Sequence, residues 1–350
     1  MSSFAAFCKR KNIEISVQRY LIDALGAMAQ GLFASLLMGT ILSTIGQQAG
    51  IDVLVQVGDF AKSAAGPAMA VSIGFALKAP SLVLFSLVAV GYAANSLGGA
   101  GGPLAVLVVA IVASECGKLV ANETKIDILV TPSVTILVGC LLSMACAPSI
   151  GAGATAVGSL IMWATDLQPF FMGILVSALV GIALTLPISS AAICAALSLT
   201  GLAGGAAVAG CCAQMVGFAV MSFRENGWGG LVSQGLGTSM LQMPNIVKNP
   251  RIWIAPTLTS AITGPIATCV FHLEMNGAAI NSGMGTCGLC GQLGVWTGWI
   301  SPSADALANG AFDWAGLLLI SFVLPAILCP LINQLCCRAG WVKQGDLTLA

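Results

Sequence analysis

Apolar residues in this chain gather in long blocks separated by short polar breaks. A helix needs roughly 20 apolar residues to cross the hydrocarbon core of a bilayer. Blocks near that length occupy 21–43, 53–77, 80–97, 103–120, 126–148, 170–187, 203–223, 252–271 and 314–334. Each predicts a membrane-crossing helix. Two further apolar stretches fit less well: 188–199 is too short, and 278–299 is too rich in glycine. The pattern predicts an all-α polytopic membrane protein, with one transmembrane domain over 1–350.

The basic residues orient the blocks. Lys9, Arg10, Lys11 and Arg19 come first. Lys78 follows the second block, and Lys118 with Lys125 follows the fourth. Arg224, Lys248 and Arg251 share a later loop, and Arg338 and Lys343 close the chain. The positive-inside rule assigns such residues to the cytoplasm. Residues 1–19 are then a cytoplasmic N-terminal segment and 338–350 a cytoplasmic tail. The number of complete crossings must be even, and nine blocks break that parity. Either 188–199 pairs with its neighbour as a crossing, or one of the nine is a hairpin. The stretch 278–299 lies between an outward block and an inward one. It has to leave on the side it came from, so it reads as a re-entrant hairpin. The stretch 151–166 is short, with Trp163 and Asp166 near its end, and reads as an interfacial amphipathic helix. No small-residue cleavage site follows the first block, so a retained first span is expected.

Composition sharpens this picture. Hydrophobic residues make up 57% of the chain and charged residues 7%, against about 25% charged in a soluble domain. Mean hydropathy is +0.97. Thirteen basic and 13 acidic residues balance, with no basic stripe for nucleic acid. Of the 13 cysteines, Cys140, Cys146, Cys194, Cys211, Cys212, Cys269 and Cys329 lie in apolar runs, as small hydrophobes that let helices approach. Cys287 and Cys290 form a CxxC with no second pair or close His, so no metal or cofactor is implied. No hydrolase triad, phosphate-binding loop or ATPase motif occurs.

The polar residues inside this apolar chain carry the candidate chemistry. The richest segment runs from Arg224 to Gln292. Asparagine, glutamine, arginine and glutamate suit a small polar solute such as a polyol, whose hydroxyls both donate and accept. Candidate contacts are Gln214, Arg224, Glu225, Asn226, Asn245, Asn281, Gly283, Gly285, Thr286 and Gln292. Arg224 and Glu225 are either an ion pair at a helix end or the cap of a cavity. Trp228 and Trp253 either stack on a sugar ring or sit in the interface belt. Gly235-Leu-Gly-Thr and Gly283-Met-Gly-Thr echo one another, each followed by a Gln. Glycine-interrupted apolar segments point to a transporter site, because unwound backbone is tolerated in a membrane only where it lines a cavity. Two residues are candidates for a proton relay. Glu115 lies within a span with Lys118 as its partner, and the alternative is a snorkelling interfacial pair. His272, beside Glu274, is the single histidine, and the alternative is an interfacial residue.

The stretch 186–292 resembles one family over several landmarks. They are Pro187-Ile-Ser-Ser-Ala-Ala192, Gly210-Cys-Cys-Ala-Gln-Met-Val-Gly-Phe218, Phe223-Arg-Glu-Asn-Gly-Trp-Gly-Gly230, Gly237-Thr-Ser-Met240, Pro244-Asn-Ile246, Lys248-Asn-Pro250, Ile252-Trp-Ile254 and Gly283-Met-Gly-Thr286. They resemble the membrane-embedded IIC component of the sugar phosphotransferase system, in its PfoR-type toxin-regulator branch. The resemblance implies about ten transmembrane helices with re-entrant hairpins, a homodimer, and a bacterial inner (plasma) membrane. It implies a protein that binds a sugar while a separate or fused IIB domain phosphorylates it. The Gly-Ile-Thr-Glu motif of sugar-transporting relatives is absent, and no fused IIB domain is expected. Phosphotransfer would thus need a separate IIB protein. The function expected is a IIC-like permease moving a small polar solute, a sugar, by alternating access. The alternatives are a ligand-sensing membrane regulator without transport, and a lipid or fatty-acid handling protein.

Overall fold

The computed structural model describes residues 3–300 and 310–349. Among them the regular structure is helical, with one isolated antiparallel bridge between Gly201 and Met275. Six stretches are long and apolar enough to cross a membrane: Gln18–Ala49, Ser81–Val120, Asp127–Thr165, Gly201–Met221, Pro250–Val270 and Ala311–Arg338. Ala65–Ala76 and Pro169–Thr185 are shorter apolar helices. The protein is therefore an all-α, multi-pass membrane protein. The chain divides into two compact units, Met1–Gly153 and Ala154–Ala350.

In the first unit, α1 (Ser3–Arg10) leads to α2 (Gln18–Ala49). Gly50, at φ 68°, turns the chain. Helices α3 (Asp52–Ser63) and α4 (Ala65–Ala76) then run back along α2. Small residues set this closeness: a Cβ on Gly31 would stand 2.7 Å from the Ala68 carbonyl oxygen. Next come α5 (Ser81–Gly98) and α6 (Gly102–Val120), hinged at Gly99 with φ 50°. They are antiparallel: Gly98 meets Ala105 near the hinge, and Val83 meets Gly117 at the far end. The stretch Ser81–Val120 is therefore a hairpin of two arms, as the two blocks at 80–97 and 103–120 predict. Helix α7 (Asp127–Thr165) continues through Pro132 and Pro148, and its residues from Ala154 onward belong to the second unit. Residues 151–165 are the last turns of this helix.

At one end of the first unit the basic residues converge. The Lys118 side chain is buried, and its ammonium lies 2.7 Å from the Glu115 carboxylate. It also donates to the carbonyls of Asn12 (3.0 Å) and Leu77 (3.1 Å). Arg19 donates to the Leu77 carbonyl as well, at 2.6 Å. These cations satisfy carbonyls at helix C-termini, which need donors and carry partial negative charge.

In the second unit, α8 (Pro169–Thr185) and α9 (Ser190–Ala196) precede α10 (Gly201–Met221). Helix α10 is the hub: residues 204–219 are all buried. Around it lie α8, then α11 (Phe223–Val232), α12 (Met243–Lys248), α13 (Pro250–Val270), α14 (Cys290–Ile300) and α15 (Ala311–Arg338). A Cβ on Gly181 of α8 would stand 2.8 Å from the Gly210 carbonyl oxygen of α10. Such contact lets hydroxyls bridge helices: Ser177 of α8 donates to the Ser260 carbonyl of α13 at 2.6 Å. Val208, Cys212, Leu273, Met275, Val295 and Ile320 belong to one buried apolar cluster.

Candidate functional site

Two glycine-broken segments reach the middle of α10 from its opposite ends. The first starts beside Gly201, whose N–H donates to the Met275 carbonyl at 2.9 Å. It runs inward through 279–289 and returns as α14. Its two arms touch along their length: Cβ atoms on Gly294 and Gly298 would each stand 2.8 Å from the Cβ atoms of Asn281 and Asn276. The second starts at the Met221 end with α11, which is kinked at Gly227 (φ 59°). It passes through 233–242 and comes back as α12. At its inner turn the Thr238 hydroxyl accepts from the Met240 N–H at 3.1 Å.

One stretch of α10, residues 211–215, meets both segments. The Thr286 hydroxyl donates to the Gly235 carbonyl at 2.5 Å and lies 3.6 Å from the Met215 sulfur. The two echoing Gly-x-Gly-Thr segments therefore touch each other. Gly285, at φ 55°, packs on Cys211. The left-handed backbone there favours glycine, and a Cβ would stand 2.6 Å from the Cys211 side chain. The Ser190 hydroxyl donates to the Gly283 carbonyl at 2.8 Å, which ties the first segment to α9. Gln292 donates to the Cys212 sulfur at 3.2 Å. Its Oε1 is buried with no hydrogen-bond partner among the described residues.

Gln214 is fully buried on the same stretch. Its Oε1 accepts from Trp253 Nε1 (2.9 Å) and the Thr185 hydroxyl (3.3 Å), and its Nε2 donates to the Thr257 hydroxyl (3.4 Å). Thr185 and Ser239 share a 2.8 Å hydroxyl contact. Gln214, Thr286 and Gln292 thus gather around 211–215, with Asn281 half-buried on the arm beside Gly294.

The remaining predicted residues form a second cluster at the Met221 end, and their partner is the chain's own tail. The Glu225 carboxylate accepts from the backbone N–H of Gly345 (3.1 Å) and Leu347 (3.0 Å) and from the Thr348 hydroxyl (3.0 Å). Asn226 donates to the Leu347 carbonyl and accepts from the Leu349 N–H, both at 2.8 Å. Asn245 donates to the Thr348 carbonyl at 2.9 Å and to Gln242 Oε1 at 2.8 Å. Gln242 donates to the Leu347 carbonyl and to Gln234 Oε1, at 2.9 and 2.8 Å. Arg224 forms no ion pair with Glu225. Both line a cavity of about 710 Å³ between the ends of α10 and α15 and the tail, walled also by Met221, Asn333, Lys343 and Leu347. Trp228 is exposed, edge-on to Phe223 at 5.2 Å.

The family model described as Phosphotransferase system, EIIC matches residues 22–349. The chain belongs to that family. EIIC is the membrane transport part of the phosphotransferase system, and phosphoryl transfer is carried by IIB, so this EIIC chain is not an enzyme by itself. No curated protein and no solved structure matches it.

The two relay candidates of this EIIC chain belong to neither cluster. Glu115 pairs with Lys118 in the first unit. His272, exposed in the second unit at φ 45°, begins the loop into the first segment. Four residues of the clusters escape a reading of the sequence: Thr185, Ser239, Gln234 and Gln242. Ser239 and Gln242 fall inside the echoed segment, which is the one signal that points to them. Thr185 is a single hydroxyl at the end of an apolar block, where nothing marks it.

Proposed function

We propose that this EIIC protein is the permease for a small polar solute of the sugar class, bound where the two glycine-broken segments meet residues 211–215. The observation that carries the reading is the Gln292 carboxamide. It is nine-tenths buried, held by Cys212, and its carbonyl oxygen lacks a donor among the described residues. An unsatisfied buried acceptor costs about 1–3 kcal/mol, and a solute hydroxyl would remove that cost. Asn281 and Thr286 supply further polar side chains on the same segment, whose glycine backbone is held by Ser190 and Gly291.

In this reading both segments are re-entrant, and the helices around α10 carry the site between two openings by alternating access. Both termini lie in the cytoplasm of a bacterial cell, at the inner membrane, as the positive-inside rule assigns them. The working form is a homodimer served by a separate IIB protein. The test is uptake of radiolabelled sugars into proteoliposomes, with and without the Gln292→Leu change. Uptake lost with that change supports the reading. Binding without uptake overturns it.

That second outcome belongs to a sensor. One observation favours it: Asn226, Gln242 and Asn245 are occupied by the chain's own tail, which also fixes Glu225 at the wall of its cavity. The resemblance to the PfoR-type branch points the same way. A lipid-handling role has no comparable support.

A further inference from the structure

A second cavity, of about 380 Å³, lies at the basic end of the first unit, far in sequence from the solute segments. Its wall includes Arg10, Lys11, Lys78, Lys118, Asn122 and Glu123. Four cations therefore face one carboxylate. Glu115, which pairs with Lys118, and Asp127, which accepts from the Asn122 N–H, bring the carboxylates around them to three, so one positive charge is left without a counter-charge.

The four cations differ in what they already hold. Lys118 is spent on Glu115 and on the carbonyls of Asn12 and Leu77. Lys11 donates to the Ala121 carbonyl and lies 2.5 Å from Glu123. Arg10 shares the same Glu123 oxygen at 2.7 Å, with its guanidinium mostly exposed. Lys11 first, then Arg10, hold the Glu123 carboxyl below its ordinary range. Lys78 holds nothing: its ammonium has no ion pair or hydrogen bond among the described residues.

The backbone at Lys78 adds a second observation. Lys78 sits at φ 56°, and its N–H and that of Ala79 donate to the carbonyls of Phe75 and Gly74, each at 2.9 Å. This is the left-handed turn that ends a helix, where glycine is the usual residue. The chain places a lysine there instead, and the turn directs that lysine to the cavity wall.

Pro80 also lines the cavity, and α5 starts beside it. Phe85, Val88 and Tyr92 of α5 are 71%, 46% and 63% exposed, at helical spacing. They form a ridge that leads away from the cavity along the apolar face. We propose that the cavity binds a phosphate group, that of an anionic phospholipid whose acyl chain lies on this ridge. Basic pockets between spanning helices recognise such headgroups, and Lys78 with Arg10 would make the contacts.

The test uses the full-length protein in nanodiscs of phosphatidylcholine, with phosphatidylglycerol added and bound lipid read by native mass spectrometry. A parallel arm adds inorganic phosphate alone and reads the thermal midpoint. Phosphatidylglycerol is expected to bind and Lys78→Gln to weaken it about fivefold, the worth of one lysine at an anionic surface. Lys78→Glu is expected to weaken it further. Lys125→Gln, a change outside the cavity wall, is expected to leave binding unchanged. Protection by inorganic phosphate with the same Lys78 dependence keeps the phosphate site and overturns the lipid as its source. Equal binding by Lys78→Gln and the unchanged protein, or equal binding of phosphatidylcholine, overturns the site itself. Lys78 is exposed, so these variants are expected to fold; a thermal midpoint equal to that of the parent verifies it.

Discussion

The Thr286 hydroxyl donates to the Gly235 carbonyl at 2.5 Å, across 51 residues of sequence. This bond joins the two glycine-broken segments beside Met215. Thr286→Val removes the donor and keeps the shape, leaving the part-buried Gly235 carbonyl without this partner. The expected cost is about 1–3 kcal/mol. Thr286→Ser keeps the donor and is expected to recover most of it. Thermal unfolding of both variants in one detergent checks the pair.

Glu225 fixes the tail through two backbone N–H groups and the Thr348 hydroxyl. Hydrogen bonds to a charged group are the stronger ones. Glu225→Ala is expected to release this clamp while the buried spans stay folded. Hydrogen exchange at the Gly345 and Leu347 amides should then speed up roughly tenfold or more, the factor that a loss of about 1.4 kcal/mol gives. Unchanged exchange at those amides would show that the tail is held by other contacts.

Close helix approach in the second unit depends on Gly210, where a Cβ would press into the Ser177 backbone. Gly210→Ala is expected to cost about 1–3 kcal/mol by overpacking, more if the helices cannot shift. Gly229→Ala is the control, since a Cβ there meets nothing within 4 Å. It is expected to be neutral or slightly stabilising, because alanine favours helix. Thermal midpoints of the two variants separate these outcomes.

The Glu123 carboxyl is held below its ordinary value of 4.5 by Lys11 first and by Arg10. A carboxyl with a lowered value in the folded protein contributes stability above its ordinary value. That contribution is lost as pH falls through the lowered one. The tie between the N-terminal segment and the Ala121–Glu123 turn is therefore expected to hold at neutral pH and to open only in acid, below 4.5. Glu123→Gln mimics the protonated state. It should raise labelling of Cys8, the half-exposed cysteine of α1, by a thiol reagent at neutral pH.

Much of the fold is legible because a bilayer demands long apolar blocks, and such blocks can be read directly. The arms at 80–97 and 103–120, and the turn between them, follow from the run of glycines at 98–102. The length of α7 does not. Pro148 reads as a helix end, yet the helix continues to Thr165, because a membrane helix tolerates proline when other groups satisfy the freed carbonyl. The echo of Gly235–Thr238 with Gly283–Thr286 points to the two segments, since glycine patterns survive as sequence. That they meet at Met215 is a tertiary fact. The split of the polar residues into two clusters is equally invisible. Glu225, Asn226 and Asn245 look like solute ligands by side-chain chemistry. Most of their partners are backbone groups of the tail, and no residue pattern announces a backbone partner. Gln214 is marked by its side-chain chemistry, but its fixed partners, Thr185 and Trp253, lie on other helices and leave no trace in the local sequence.

The most direct measurement is ligand-dependent thermal unfolding of the purified protein in detergent, over a panel of free sugars, polyols, sugar phosphates, organic acids and fatty acids. A ligand at a hundred times its dissociation constant adds about 2.7 kcal/mol to the folded state. The expected result is stabilisation by a free sugar or polyol that disappears in Gln292→Leu and Asn281→Ala. Stabilisation by lipids alone, or a sugar effect that both variants retain, would contradict a solute site where the two segments meet.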